Sequence, residues 1–207
     1  GGTNEDKINS VAGTSDGGYI VGGYFESSSI DLGNGISLTN KNSGREDGML
    51  IKYNARGEVE WAEGIGGSDY DYIKSVSGTS DGGYIVGGYF NSSSIDLGNG
   101  ISLRNKRPPS YSNGVTTYYS DGMIIKYNSN GEVEWAEGIG GTSGDTINSV
   151  ACTSDGGYIV GGCFESNSID LGNGTSLTNK SSLGYYSDGM VIKYNARGEV
   201  EWAEGIG

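Results

Sequence analysis

The chain has 207 residues, 40 of them glycine and none histidine, and its 26 acidic against 13 basic residues leave a net charge of −13. That charge disfavours nucleic acid, whose phosphates call for a basic face, and anionic membrane surfaces as well. The lack of histidine removes the commonest general base, the commonest zinc ligand and any histidine-based triad at once.

No apolar run approaches the ~20 residues of a membrane-spanning helix. The chain does not open with Met and carries no leader-type segment, so it is expected to be a processed chain or a piece of a longer one. Glycine is in excess without a period of three, which assigns it to turns and close backbone packing.

In chain order, "INSVAGTS" (8–15) alternates and ends on a turn, and "GGYIVGGYF" (17–25) is β-branched and aromatic between glycines. "SIDLGNGISL" (29–38) reads as a small hairpin, with Ile30 and Leu32 facing Ile36 and Leu38 across a Gly-Asn-Gly turn. "GMLIKYN" (48–54) runs into an Asn-Ala-Arg-Gly turn. "EVEWAEGIG" (58–66) then sets Val59 and Trp61 against Glu58 and Glu60, one face apolar and one acidic. No stretch has a capped 3.6-residue period, so no helix is predicted.

This series then recurs. "TSDGGYIVGG" stands at 14–23, 79–88 and 153–162, and alignment divides the chain into units 1–66, 67–140 and 141–207. The units differ in length only at 39–46, 104–120 and 178–187, segments of 8, 17 and 10 residues. A fixed core with one variable segment is the pattern of a repeat scaffold that displays something on one face. Four short antiparallel strands cannot bury both faces of one sheet, but sheets set side by side around an axis can. The predicted fold is all-β: three tandem four-stranded antiparallel blades of β-propeller type, each with an extra small hairpin. A parallel β-helix is the alternative, with coils usually shorter than these units.

The cysteines, Cys152 and Cys163, both lie in the third unit. If "SDGG" closes a hairpin, Cys152 falls opposite Val160, some 10 Å from Cys163 at ~3.3 Å per residue. Two free, buried thiols are therefore expected.

Aspartates recur at 6/71/145, 16/81/155, 31/96/170 and 47/121/188. Turn capping is their expected role. Calcium would want a D-x-D-x-D-G loop, which is not present. A carboxylate pair for glycoside hydrolysis should be unique in a chain, whereas each of these occurs three times. Neither catalytic residues, metal ligands nor a cofactor site are expected. Trp61, Trp135 and Trp202 are assigned to packing between blades, with a sugar-stacking platform as the alternative. The candidate ligand-binding residues lie in the variable segments: Arg104, Arg107, Tyr111, Tyr118 and Tyr119 in unit two, Tyr185 and Tyr186 in unit three. Arg and Tyr are enriched at binding hot spots.

The stretch from Asp47 to Trp61, with its copies Asp121–Trp135 and Asp188–Trp202, has the form D-G-M-x-I-K-Y-N-x-x-G-E-V-E-W and is joined to "SDGGYIVGG". It resembles the β-propeller repeats of bacterial secreted and surface proteins, relatives of the repeats named for seven-bladed propellers. The resemblance covers essentially the whole chain. It implies an extracellular or cell-surface setting and no enzyme activity, with the first strand of each blade nearest the axis and "EVEWAEGIG" outermost. The variable segment and the connection to the next blade would then share one rim. Three blades are too few for a ring, which takes at least four. Either the chain belongs to a longer array, or copies join end to end, for instance two chains making six blades. The function expected is a non-enzymatic scaffold whose variable loops bind a protein or glycan. The alternatives are a purely structural assembly or filament module and a glycan-active enzyme.

Overall fold

A computed structural model describes residues 1–42, 44–107, 110–112, 115–117, 119–181 and 186–207, without the side chains of 111–112 and 115–117. Blade one comprises β1 (Asp6–Gly13), β2 (Tyr19–Phe25), β3 (Ser29–Asp31), β4 (Ser37–Thr39), β5 (Asp47–Tyr53) and β6 (Val59–Ile65). Blade two comprises β7 (Asp71–Gly78), β8 (Tyr84–Phe90), β9 (Ser94–Asp96), β10 (Ser102–Arg104), β11 (Ser110–Ser112), β12 (Val115–Thr117), β13 (Asp121–Tyr127) and β14 (Val133–Ile139). Blade three comprises β15 (Asp145–Cys152), β16 (Tyr158–Phe164), β17 (Ser168–Asp170), β18 (Ser176–Thr178), β19 (Asp188–Tyr194) and β20 (Val200–Ile206).

Each blade is one antiparallel four-stranded sheet, in the orders β1-β2-β5-β6, β7-β8-β13-β14 and β15-β16-β19-β20. The short hairpins β3-β4, β9-β10 and β17-β18 stand apart, with Ile30 opposite Leu38 in the first. Among the described residues there is no helix. The all-β, three-blade organisation expected from the repeats is what the chain adopts.

The turns follow from their residues. In "TSDGG" the Asp16 carboxylate accepts from Gly18 N (3.0 Å), Gly17 N donates to the Thr14 carbonyl, and Gly17 takes φ +81°. Asp81 and Asp155 do the same for Gly83 and Gly157. Asp31, Asp96 and Asp170 cap the small hairpins through Gly33, Gly98 and Gly172 N at 2.8–2.9 Å. These aspartates do the turn work expected of them.

Two of the three buried apolar clusters lie between blades, and the third, around Phe25, Ile30, Leu38, Met49 and Ile51, lies within blade one. Ile20, Leu50 and Ile65 of blade one join Ile73, Val76, Tyr84, Met123 and Ile125 of blade two in one cluster. Ile85, Ile124 and Ile139 of blade two likewise join Ile147, Val150, Tyr158, Met190 and Ile192 of blade three. The first strands of successive blades run alongside one another, Val76 N donating to Ser10 Oγ and Val150 N to Ser75 Oγ, both at 3.1 Å. These joints need glycine: a Cβ on Gly22 would come within 2.6 Å of Ile73 and Val76, and one on Gly87 within 2.5 Å of Val150.

Three expectations need correction. Segment 104–120 is not all loop, because β11 and β12 pair within it, Tyr111 opposite Thr116. Cys152 lies opposite Tyr158 and not Val160, because the Thr153–Gly157 turn is tighter than a simple reading of "SDGG" implies. Both thiols are free but half-buried: Cys152 donates to the Gly78 carbonyl at 3.0 Å, and Cys163 lies 3.1 Å from Thr146 Oγ1. Trp202, finally, packs on no further blade. Trp61 and Trp135 meet Tyr84 and Tyr158 of the next blade (5.9 and 6.0 Å between ring centroids), whereas Trp202 is 48% exposed.

One buried feature had no counterpart in the sequence reading. Lys52, Lys126 and Lys193 point inward from the third strand of each blade. The Lys126 ammonium has three partners: the Tyr127 carbonyl at 2.9 Å, Asp81 at 3.0 Å and Glu134 at 2.8 Å. Lys52 and Lys193 repeat the arrangement with Asp16/Glu60 and Asp155/Glu201.

Candidate functional site

The variable segments leave the constant frame through one device, used three times. An asparagine just after the small hairpin (Asn40, Asn105 or Asn179) donates from its side-chain nitrogen to two carbonyls. One belongs to the end of the second strand, Phe25, Phe90 or Phe164, at 2.9–3.2 Å. The other lies at the far end of the variable segment, Arg45, Tyr119 or Tyr186, at 2.8–3.0 Å. The asparagine oxygen accepts from Asn42, Arg107 or Ser181 N. The next residue, Lys41, Lys106 or Lys180, gives its backbone N–H to Asp47, Asp121 or Asp188 at 2.6–2.7 Å. The clamp spans five residues in blade one, fourteen in blade two and seven in blade three, so its geometry is indifferent to what it closes.

The segments share a rim with the connections between blades. Asp71 N donates to the Glu46 carbonyl and Asp145 N to that of Ser120, at 2.8 and 2.7 Å. In blade one the Arg45 guanidinium lies 4.4 Å over Tyr70 and 3.5 Å from Asp69. In blade two Arg107 stacks 4.0 Å over Tyr119 and donates to the Thr142 carbonyl of the next connection. Arg107 and Tyr119 therefore hold the segment to the rim. Arg104 is exposed at the end of β10, and Tyr186 is exposed beside the third clamp. The geometry does not gather Arg104, Arg107, Tyr119 and Tyr186 into one cluster; they decorate two separate stations on the rim. The Tyr111 side chain, Tyr118 and Tyr185 lie outside the described residues.

The clamp asparagines were not singled out from the sequence. Their signal is the Asn-Lys pair that opens every variable segment, at 40–41, 105–106 and 179–180.

Beneath the rim, carboxylates meet at each blade joint. Burial pushes Asp71 up to about 7, with the Asp47 charge adding to it, and pushes Asp121 up to about 6, with Asp145 adding. Asp47 and Asp145 are raised by burial as well. One oxygen of Asp121, and one of Asp47, is buried without a hydrogen-bond partner. Among the described residues, no group of three or more His, Cys, Asp or Glu side chains is placed to hold a metal ion.

A carboxyl whose folded pKa is raised adds stability that is full below its unfolded value near 4 and is lost as pH rises through the folded value. Asp16 and Asp155, held low first by Thr14 and Thr153, act in the opposite sense, and their contribution disappears as pH falls below about 4. Thermal unfolding should therefore show a maximum near pH 4–5 and a decline toward pH 8. Asp121→Asn keeps the oxygen that accepts from Lys106 N and replaces the partnerless one. It should flatten the decline and stabilise the chain at pH 8 by at most about 3 kcal/mol, at ~1.4 kcal/mol per pKa unit, less the cost of burying the new amide N–H2. A parallel profile for the variant would contradict the assignment.

No family model matches the chain, and no curated protein does. Among solved structures it is similar to a protein of unknown function from Bacteroides caccae, at 10% identity over 98% of this chain and 83% of that one, with a TM-score of 0.32. Among the described residues, no helix is long and apolar enough to cross a membrane.

Proposed function

We propose that the chain is a non-enzymatic scaffold, of the kind found in secreted and cell-surface β-propeller proteins, whose rim segments bind a protein or glycan. The observation that carries this reading is the asparagine clamp. It closes segments of very different length and composition on a frame that is otherwise nearly the same from unit to unit. Variation confined to a clamped rim is what a display surface requires, since loops on a rigid scaffold are where binding residues concentrate. The second segment is the longest and puts Arg104 and Lys106 on an otherwise acidic molecule. Four aspartates recur three times at equivalent turns and strand starts, and this favours binding over catalysis.

Exchanging residues 104–120 for the 39–46 sequence tests the reading. The clamp geometry should accept the shorter segment, so folding and melting temperature should stay close to those of the parent. Binding on a glycan array, or to a displayed panel of surface proteins, should disappear with the exchange. Ligand binding that survives it would contradict the assignment to this segment.

A further inference from the structure

The two outer faces of the three-blade stack are opposite halves of an interface that the chain already uses twice. In that interface two apolar side chains of the first strand enter a hollow over glycines of the preceding blade. Ile73 and Val76 do so over Gly22, Ile147 and Val150 over Gly87, and all four are at most 5% exposed. The outer-strand tryptophan lies over the glycine of the next blade's last turn. A Cβ on Gly131 would come within 2.8 Å of Trp61, and one on Gly198 within 2.7 Å of Trp135.

Every one of these parts is present and unpaired at the ends. On the leading face Ile8 is 52% exposed and Val11 60%, and a Cβ on Gly57 would meet nothing within 4 Å. On the trailing face Trp202 is 48% exposed and Ile206 59%, whereas Ile65 and Ile139 at its position are buried. A Cβ on Gly161 would also meet nothing. The leading face further carries a largely apolar groove of about 230 Å3 whose lining includes Ile8, Leu32, Met49, Ile51 and Tyr53 beside Asp6. In blades two and three the counterparts of Ile8, Leu32 and Tyr53 are buried, whereas Ile30, Met49 and Ile51 are already buried within blade one.

We propose that a second copy of this chain seats head to tail on the first, Ile8 and Val11 entering the hollow over Gly161 and Trp202 covering Gly57, and that two copies close a ring of six blades. The occupant follows from identity of parts: Ile8 and Val11 of the leading face are the counterparts of the Ile/Val pairs that fill the Gly22 and Gly87 hollows. Polar partners match as well. Ser149 stands where Ser10 and Ser75 accept the amides of Val76 and Val150, so it is placed to accept from Val11 N. The stoichiometry follows from blade number. Propellers run from four to eight blades, and six is the only multiple of three in that range. The interface is heterologous, so closure gives a ring and failure to close gives a filament.

The test is the mass of the 207-residue chain in solution by light scattering, at about 100 µM and about 0.15 M salt, where screening over ~8 Å tempers the −13 charge of each copy. The expected mass is twice the 21.5 kDa of one chain. Gly161→Val fills the trailing hollow without touching its own chain, and should weaken the dimer at least about 100-fold through a clash at both joints of the ring. Val11→Asp, on the opposite face and already exposed, should do the same. Circular dichroism and thermal melts verify that both variants fold. A parent chain that stays at one chain mass, a species larger than two copies, or a folded Gly161→Val protein that still dimerises would each overturn the proposal.

Discussion

Replacing Gly87 with valine should lower the melting temperature by about 6–12 °C or abolish folding, while the same replacement at Gly161 should leave it unchanged or raise it. Both glycines occupy the same place in the repeat, in the middle of the second strand, and both have ordinary strand backbone. They differ only in what lies over them. At Gly87 the new Cβ falls 2.5 Å from Val150 and 2.8 Å from Ile147, side chains fixed in the joint between blades two and three. Overpacking of this kind costs about 3 kcal/mol, which at ~2–4 °C per kcal/mol in a chain of this size gives the stated shift. At Gly161 nothing lies within 4 Å, and valine suits a strand better than glycine does. The comparison belongs in dilute solution, where single chains are measured. Equal effects at the two sites would mean that the blades do not pack on one another as described.

Neutralising the two carboxylates around Lys126 should cost more than removing the lysine. Lys126 is buried, whereas its partners Asp81 and Glu134 are about half-exposed. Burial alone would push the ammonium pKa down; Glu134 and then Asp81 outweigh it and hold the pKa above its ordinary value. In Lys126→Met the freed carboxylates turn back to water, and an unbranched apolar chain of similar length fills the space, so the loss should stay within about 1.5 kcal/mol. The double variant Asp81→Asn, Glu134→Gln keeps the oxygen that caps the turn at Gly83 but strands a buried cation. Its loss should be about 3 kcal/mol. Urea unfolding of both variants at pH 7 decides the matter, and the reverse order would contradict the view that the carboxylates serve the lysine.

Strand positions, turns and blade boundaries were legible because they are local. Alternation of period two, Asp at turn corners and the threefold recurrence are visible without any tertiary contact. What was hidden depends on neighbours that one unit does not contain. Nothing in "GMLIKY" marks the lysine as buried, since its partners come from one turn and one strand elsewhere in the blade. The two glycines of "IVGG" look alike in every unit, yet at 22 and 87 the first lies under the Ile and Val of the following blade, whereas at 161 nothing lies over it. The β11–β12 hairpin escaped because its strands lack an apolar alternation, although the Asn-Gly at 113–114 is a tight-hairpin signal. The rim tyrosines and arginines were chosen by residue type alone. Type does not reveal that Arg107 and Tyr119 are engaged with each other.

The packing of blade on blade through glycine hollows is tested most directly by nuclear Overhauser contacts in a chain with labelled Ile and Val methyls. The methyls of Ile147 and Val150 should contact the α-protons of Gly87, and those of Ile73 and Val76 should contact Gly22. A spectrum that preserves the cross-strand contacts inside each sheet but lacks these four would contradict the arrangement of the blades, and with it the interface inferred between copies.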